Sequence, residues 1–391
     1  MSKIFSGSNP SQLYMDALQA LLKEGEECAP RGKKIKELRP VIFEYTNPKN
    51  RVTFLKGRKI NPFFQLAESL WILSGRSDVA WLTDYNANMG QFSDDGVYFN
   101  APYGERLRFW NKNDSHGYIH NPIDQLTDVY EKIIADNDTR QAVAVIYNPV
   151  FDHAGVETKD RPCNLILTFK LRNGKLDLNV FNRSNDLHWG TFGANLCQFA
   201  TIQEVIASWL GVEVGTYYQT TDSLHIYLDD YGAKETNKIL KAYGLQEGHE
   251  NGFDKSPVVD QYIMENEPRF TSDKAQFDKE LDFFWNILNG ILHSEQIYTE
   301  DEYFDAILET IARIQDDYLR MTYYAMLSYR AHKKGQVEKC IKALGKMPMC
   351  SWKISCLRFL SKRYKDRPDY NMLYCDLADD IIDYIECKEE E

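Results

Sequence analysis

The residues best suited to chemistry lie within about thirty positions of one another. Cys163 sits in Arg161-Pro162-Cys163-Asn164, followed by Asn182-Arg183-Ser184-Asn185-Asp186 and then Asn195. A soft nucleophile, an Arg-Ser pair suited to phosphate and a side-chain amide suggest covalent catalysis on an anionic substrate that carries a carbonyl. A lone cysteine in a core strand is usually inert. Here Pro162 restrains the chain before it, and Arg183 is expected to lower the thiol pKa toward the thiolate.

Each neighbour also has a plain reading. Arg183-Ser184 is either a phosphate clamp or a surface arginine at a turn. Asn195 is either the N-cap of the following helix or an amide that reads a uracil edge, since it can donate and accept. In Asp222-Ser223-Leu224-His225-Ile226-Tyr227 an extended backbone puts His225 and Tyr227 on one face, as sugar ligands or as a self-satisfied pair.

Composition narrows the class. The chain has 391 residues, a net charge of −12 and 43% hydrophobic residues. That length favours two domains, or one large domain with an extension. The acidic balance opposes a nucleic-acid partner. No apolar run is long enough for a membrane span and no secretory leader is visible, so a cytoplasmic protein is expected. Eight scattered cysteines without a CxxC pair read as reduced thiols and imply no metal site. An anionic small molecule then needs local arginines, for which Arg31, Arg140 and Arg183 are the candidates.

The elements that must position these residues are set by periodicity and turn signals. A helical stripe covers 11–23, a strand 41–45 and a buried helix 63–74 in which Glu68 is an acid among apolar neighbours. Residues 84–122 read as a long irregular loop. A helix at 123–135 precedes strands at 142–147, 164–171 and 175–181, the last two joined by Asn173-Gly174. A helix at 195–210 and a strand at 216–221 complete an antiparallel-rich sheet. After Ser272 the pattern is all helical. Ser272 is expected to cap a helix at 277–292, and Thr299 with Glu302 to form a capping box for one running to His332. The acidic Glu389-Glu390-Glu391 ends the chain.

Taken together and in order, Glu68, Pro102-Tyr103-Gly104, Arg140, Pro162-Cys163, Asn182-Arg183-Ser184-x-Asp186, Asn195 and Asp222 to Tyr227 resemble thymidylate synthase and the related pyrimidine hydroxymethylases over residues 11–232. The resemblance implies an α+β fold with a mixed sheet and surrounding helices, as a catalytic domain at 1–271, with a helical C-terminal extension at 272–391. It implies transfer of one carbon from 5,10-methylenetetrahydrofolate to C5 of a pyrimidine nucleoside monophosphate. Cys163, Glu68, Tyr103 and Asn195 would be catalytic. Arg31, Arg140, Arg183, Ser184, Asn195, His225 and Tyr227 would bind nucleotide, and Asp186 and Phe92 folate. It also implies a homodimer in which Arg140 reaches the partner's phosphate site.

Several positions depart from the family pattern. Asn164 stands where a histidine is usual, and Gln141 replaces a second arginine. Leu224 and the 191–194 stretch each look like one-residue insertions. Met89 and Phe92 replace two tryptophans that wall the folate. A thinner wall admits water, which favours a hydroxymethyl over a methyl product, whereas the family's usual reaction is methylation; both products stay open. Asn195 favours dUMP over dCMP. The alternatives are a dCMP or CMP hydroxymethylase and a non-catalytic nucleotide-binding platform with a helical interaction tail.

Overall fold

The computed structural model describes residues 2–110, 122–245 and 267–387. The acidic 389–391 terminus and part of the 84–122 stretch lie outside them. Two compact units are present, one comprising residues up to 55 and from 67 onward through 245, the other 56–66 with the residues from 267.

The first unit is α+β. Its strands are β1 (Lys3–Gly7), β2 (Glu26–Cys28), β3 (Ile35–Leu38), β4 (Val41–Tyr45), β5 (Val143–Val145), β6 (Asn164–Arg172), β7 (Lys175–Asn182), β8 (Asn185–Asp186), β9 (Glu213–Thr221) and β10 (Leu224–Tyr227). Six form a sheet in the order β1-β4-β9-β7-β6-β5, and four form a second in the order β2-β3-β10-β8. The large sheet is mixed: β1–β4 and β7–β9 are parallel, and the remaining pairs antiparallel. Asn173 and Gly174 both take positive φ, 52° and 73°, as the tight β6–β7 turn requires.

Alternation sets the faces. Along β7 Leu176, Leu178, Val180 and Asn182 are buried while their neighbours are not. The helix Leu196–Leu210 packs on β7 and β9 on this inner side. The helix Pro10–Glu24 starts at Asn9, whose side chain accepts from Ser11 N at 2.9 Å and Gln12 N at 3.1 Å.

The 84–122 stretch is not simply irregular. It holds the 3₁₀ turn Ala87–Phe92 and the helix Tyr103–Arg108, pieces too short to show a helical period. Helix Tyr103–Arg108 backs onto the helix Pro62–Leu73 so closely that a Cβ on Gly104 would lie 2.8 Å from the Ile72 backbone. The helix expected from 123 starts at Gln125, because Asp124 caps it by accepting from Leu126 N and Thr127 N at 3.1 Å.

In the second unit Asp273, not Ser272, caps the helix Lys274–Phe283, accepting from Gln276 N at 2.9 Å. The expected single helix to His332 is two, Asp301–Ala312 and Asp317–Lys333. Buried carboxylates make the break. Glu280 accepts from Gln315 N at 2.7 Å and Asp316 N at 3.1 Å, and Asp316 accepts from Leu319 N at 3.0 Å. No capping box forms at Thr299, whose hydroxyl donates to Gln296 O at 3.1 Å. Stacked pairs such as Phe284–Tyr323, 4.6 Å apart, fill this unit's core. Among the described residues no helix is long and apolar enough to cross a membrane.

Candidate active site

Cys163 immediately precedes β6, and β6–β7 pairing places Asn164 opposite Asn182, hence Cys163 beside Arg183. Arg183 N donates to Cys163 O at 3.0 Å, its Nε to Pro162 O at 2.9 Å and its Nη2 to Arg161 O at 3.3 Å. This pins the guanidinium with Nη2 at 3.9 Å from Cys163 Sγ. The thiol is nevertheless not acidified. Burial pushes its pKa up; Arg183 and Arg31 pull it back, while Asp160 and Asp186 add to the rise. The expected net lowering fails because desolvation of a half-buried thiolate outweighs one guanidinium at 3.9 Å.

Tyr103 completes the nucleophile's surroundings. Its hydroxyl accepts from Cys163 N at 3.3 Å and hydrogen-bonds the Asn164 side chain. Burial pushes the phenol pKa well up, so it remains a proton carrier at neutral pH. Arg106, one turn on, donates to both oxygens of buried Asp152, at 2.5 and 2.9 Å, which fixes the helix carrying Tyr103.

Glu68 lies buried on Pro62–Leu73. Burial raises its carboxyl pKa to about 7, and a hydrogen bond from Gln198 opposes that rise. Its Oε2 has no hydrogen-bond partner. A carboxyl poised near neutrality with one free oxygen suits general acid–base work.

The second sheet gathers the remaining candidates. β10 pairs in parallel with β8, setting His225 against Asp186, and antiparallel with β3. His225 and Tyr227 share a face with ring centroids 5.3 Å apart. Burial and Arg31 lower the His225 pKa, so it is neutral at physiological pH. Arg31 sits in the turn Pro30–Gly32 with φ 55°. Its charge acts on Cys163, His225 and Tyr227, so it belongs to the same site.

Asn195 is not a helix cap. It ends the π-helix Leu187–Asn195, makes no capping bond and has helical dihedrals. The cap is Asp186, which accepts from His188 N at 3.1 Å. The 191–194 stretch falls inside this π-helix, whose turn holds one residue more than an α turn. Asn195 Oδ1 accepts from Asn164 Nδ2 at 3.2 Å, and its Nδ2 donates to Asn185 Oδ1 at 3.1 Å.

Ser184 adjoins Arg183 and is half-buried. Phe92 is 40% exposed at the end of its 3₁₀ turn, and Met89 is half-buried. That loop is tied to the approach to Cys163, since Asp94 accepts from Lys159 N at 2.9 Å and Asp160 from Ala101 N at 2.7 Å. Arg140 stands apart: it is exposed before β5, where its charge and that of Arg172 act on Lys170. One residue was missed from sequence. Tyr231 donates to Asp186 Oδ2 and lies 5.9 Å from the Tyr227 ring, placing two aromatics beside this carboxylate.

With this geometry in view, known proteins supply the family. Residues 12–247, more than half of the chain, match the thymidylate synthase family. The chain belongs to the thymidylate synthase family. It is 56% identical over 388 residues, 98% of this chain and 99% of the other, to a protein of Bacillus phage SP01 named deoxyuridylate hydroxymethyltransferase. A Pseudomonas phage M6 protein of the same name is 34% identical over 284 residues, 72% of this chain and 76% of the other. A putative thymidylate synthase of Methanocaldococcus jannaschii is 30% identical over 235 residues, 58% and 93% of the two chains. This thymidylate synthase family member is therefore a one-carbon transferase, and the reading as a non-catalytic platform is set aside.

Proposed function

We propose that the enzyme converts dUMP to 5-hydroxymethyl-dUMP, with 5,10-methylenetetrahydrofolate as the one-carbon donor. The observation that carries the choice of product is the likeness, over nearly the whole of both chains, to the SP01 protein named for that reaction. Met89 and Phe92, half-buried and exposed in the loop that Asp94 ties to Lys159, would wall off water more poorly than the two tryptophans of the family pattern.

In this reading Arg31, Arg183 and Ser184 hold the phosphate, and His225 and Tyr227 the ribose. The Cys163 thiolate adds to C6 of uracil, and Asn195 stabilises charge developing at O4. C5 then bonds to the methylene group, and the folate leaves as tetrahydrofolate. Glu68 and Tyr103 move protons, including the one lost from C5. Water adds to the methylene carbon and Cys163 departs from C6. The sum is dUMP, methylenetetrahydrofolate and water giving 5-hydroxymethyl-dUMP and tetrahydrofolate. Asp186 beside Tyr231 suits a flat heterocycle with N–H donors, so these two would hold the folate ring.

The same reading includes a homodimer. Arg140 lies apart from Arg183, and the outer face of the large sheet leaves Ile4 at 64% and Ile166 at 36% exposure. A second copy covering that face would bring its Arg140 to the phosphate.

The covalent step is tested with 5-fluoro-dUMP and methylenetetrahydrofolate. A trapped adduct on the Cys163 peptide is expected. Its absence from protein that binds both ligands would remove Cys163 as nucleophile.

A further inference from the structure

Five buried side chains close a circle of hydrogen bonds through Asn195. Asn182 Nδ2 donates to Asn164 Oδ1. Asn164 Nδ2 donates to Asn195 Oδ1 at 3.2 Å, and Asn195 Nδ2 to Asn185 Oδ1 at 3.1 Å. Asn185 Nδ2 donates to Thr221 Oγ1 at 3.4 Å, and Thr221 Oγ1 returns to Asn182 Oδ1 at 3.3 Å. Each member donates once and accepts once, all in one rotational sense. None is more than 5% exposed. Sheet register assembles the circle, with Asn182 paired to Asn164 on one side and to Thr221 on the other. Gly190 leaves room for it, because a Cβ there would lie 2.4 Å from Asn185 Oδ1.

An asparagine amide turned over about its last bond exchanges N–H for C=O. Uracil offers an N3–H donor beside an O4 acceptor, and cytosine an N3 acceptor beside an N4 donor. One asparagine in its two orientations therefore suits either base. The residue type of Asn195 does not choose between them; its orientation does.

The circle removes that freedom. Turning Asn195 alone would set N–H against N–H at Asn164 and oxygen against oxygen at Asn185, losing two bonds in a buried site. It can turn only if the other four reverse with it, and Asn164 is also held from outside the circle by Tyr103. We propose that Asn164, Asn182, Asn185 and Thr221 are positioning residues that lock the Asn195 amide in the sense that accepts uracil and rejects cytosine. This rests on Asn195 as the reader of the base in the proposed reaction.

Thr221→Val opens the circle at its longest links and keeps the side-chain shape. The preference for dUMP over dCMP, measured both as a ratio of Kd and as a ratio of kcat/KM, is expected to fall at least about fivefold, the worth of roughly one hydrogen bond. Thr221→Ser, which keeps the hydroxyl, holds the parent ratio. Adding Asn185→Asp to Thr221→Val restores the preference, because a carboxylate only accepts and pins Asn195 Nδ2 as donor. A loss of folded protein lowers both ligands' signals alike and leaves the ratio unmoved. If Thr221→Val does not purify, Thr221→Ala opens the same links. An unchanged ratio in the opened circle, or no recovery with Asn185→Asp, overturns the proposal. A parent protein that does not prefer dUMP overturns the substrate reading itself.

Discussion

Arg183 grips Cys163 at two points: its backbone N–H donates to the Cys163 carbonyl at 3.0 Å, and its guanidinium stands 3.9 Å from the sulfur. The same guanidinium is anchored on the carbonyls of Pro162 and Arg161. One side chain thus fixes the loop, offers charge to the thiol and remains exposed enough to meet a phosphate.

Arg183→Ala should make the thiol harder to ionise. In the parent, burial already raises the Cys163 pKa above 9.0, with Arg183 the largest opposing influence. The pH midpoint for alkylation of Cys163, followed on its own peptide because Cys28 and Cys375 are also exposed, should move upward in the variant. An unmoved or lower midpoint would show that the guanidinium does not act on the sulfur.

Glu68→Gln should separate stability from activity. The folded protein holds the Glu68 proton up to about pH 7, against an ordinary value of 4.5. Because the native state binds the proton more tightly than the unfolded state, stability falls as pH rises through that window, by on the order of 3 kcal/mol in total. The glutamine variant lacks this loss. Relative to the parent it should gain stability between pH 4.5 and 7 in denaturant titrations, while turnover drops by at least about 100-fold. Parallel stability curves would contradict the burial account of this carboxyl.

Mixing two inactive variants tests the dimer. Arg140→Ala should lose phosphate affinity and Cys163→Ser should lose chemistry. In a mixed dimer the site with an intact Cys163 receives an intact Arg140 from its partner, so remixing should restore about a quarter of parental activity. Failure to restore activity, with mixed dimers demonstrated by mass, would place Arg140 in its own subunit's function only.

Widening the wall should change the product. Met89→Trp combined with Phe92→Trp reduces water access at the rim, and the hydroxymethyl yield per folate consumed should fall several-fold. Equal yields would mean that water enters by another route.

The sequence was most legible where periodicity is local. The buried helix around Glu68, the Asn173-Gly174 turn and the extended run bearing His225 and Tyr227 are each encoded by a few adjacent residues. What it hid depends on partners far along the chain. The asparagine circle draws on β6 through β9 and the end of the π-helix Leu187–Asn195, so no window of neighbouring residues contains it. Asn195 resembled an N-cap because Asp186 caps a π-helix nine residues earlier, and a π turn leaves no ordinary 3.6-residue signal. The raised pKa of the Cys163 thiol is hidden because charge is visible in sequence and burial is not. The split at Asp316 depended on Glu280, 36 residues away.

Mass spectrometry of a reaction containing dUMP and 5,10-methylenetetrahydrofolate decides the identity of the product. 5-Hydroxymethyl-dUMP with tetrahydrofolate is expected, the hydroxyl oxygen coming from labelled water. Thymidylate with dihydrofolate as its coproduct would contradict it.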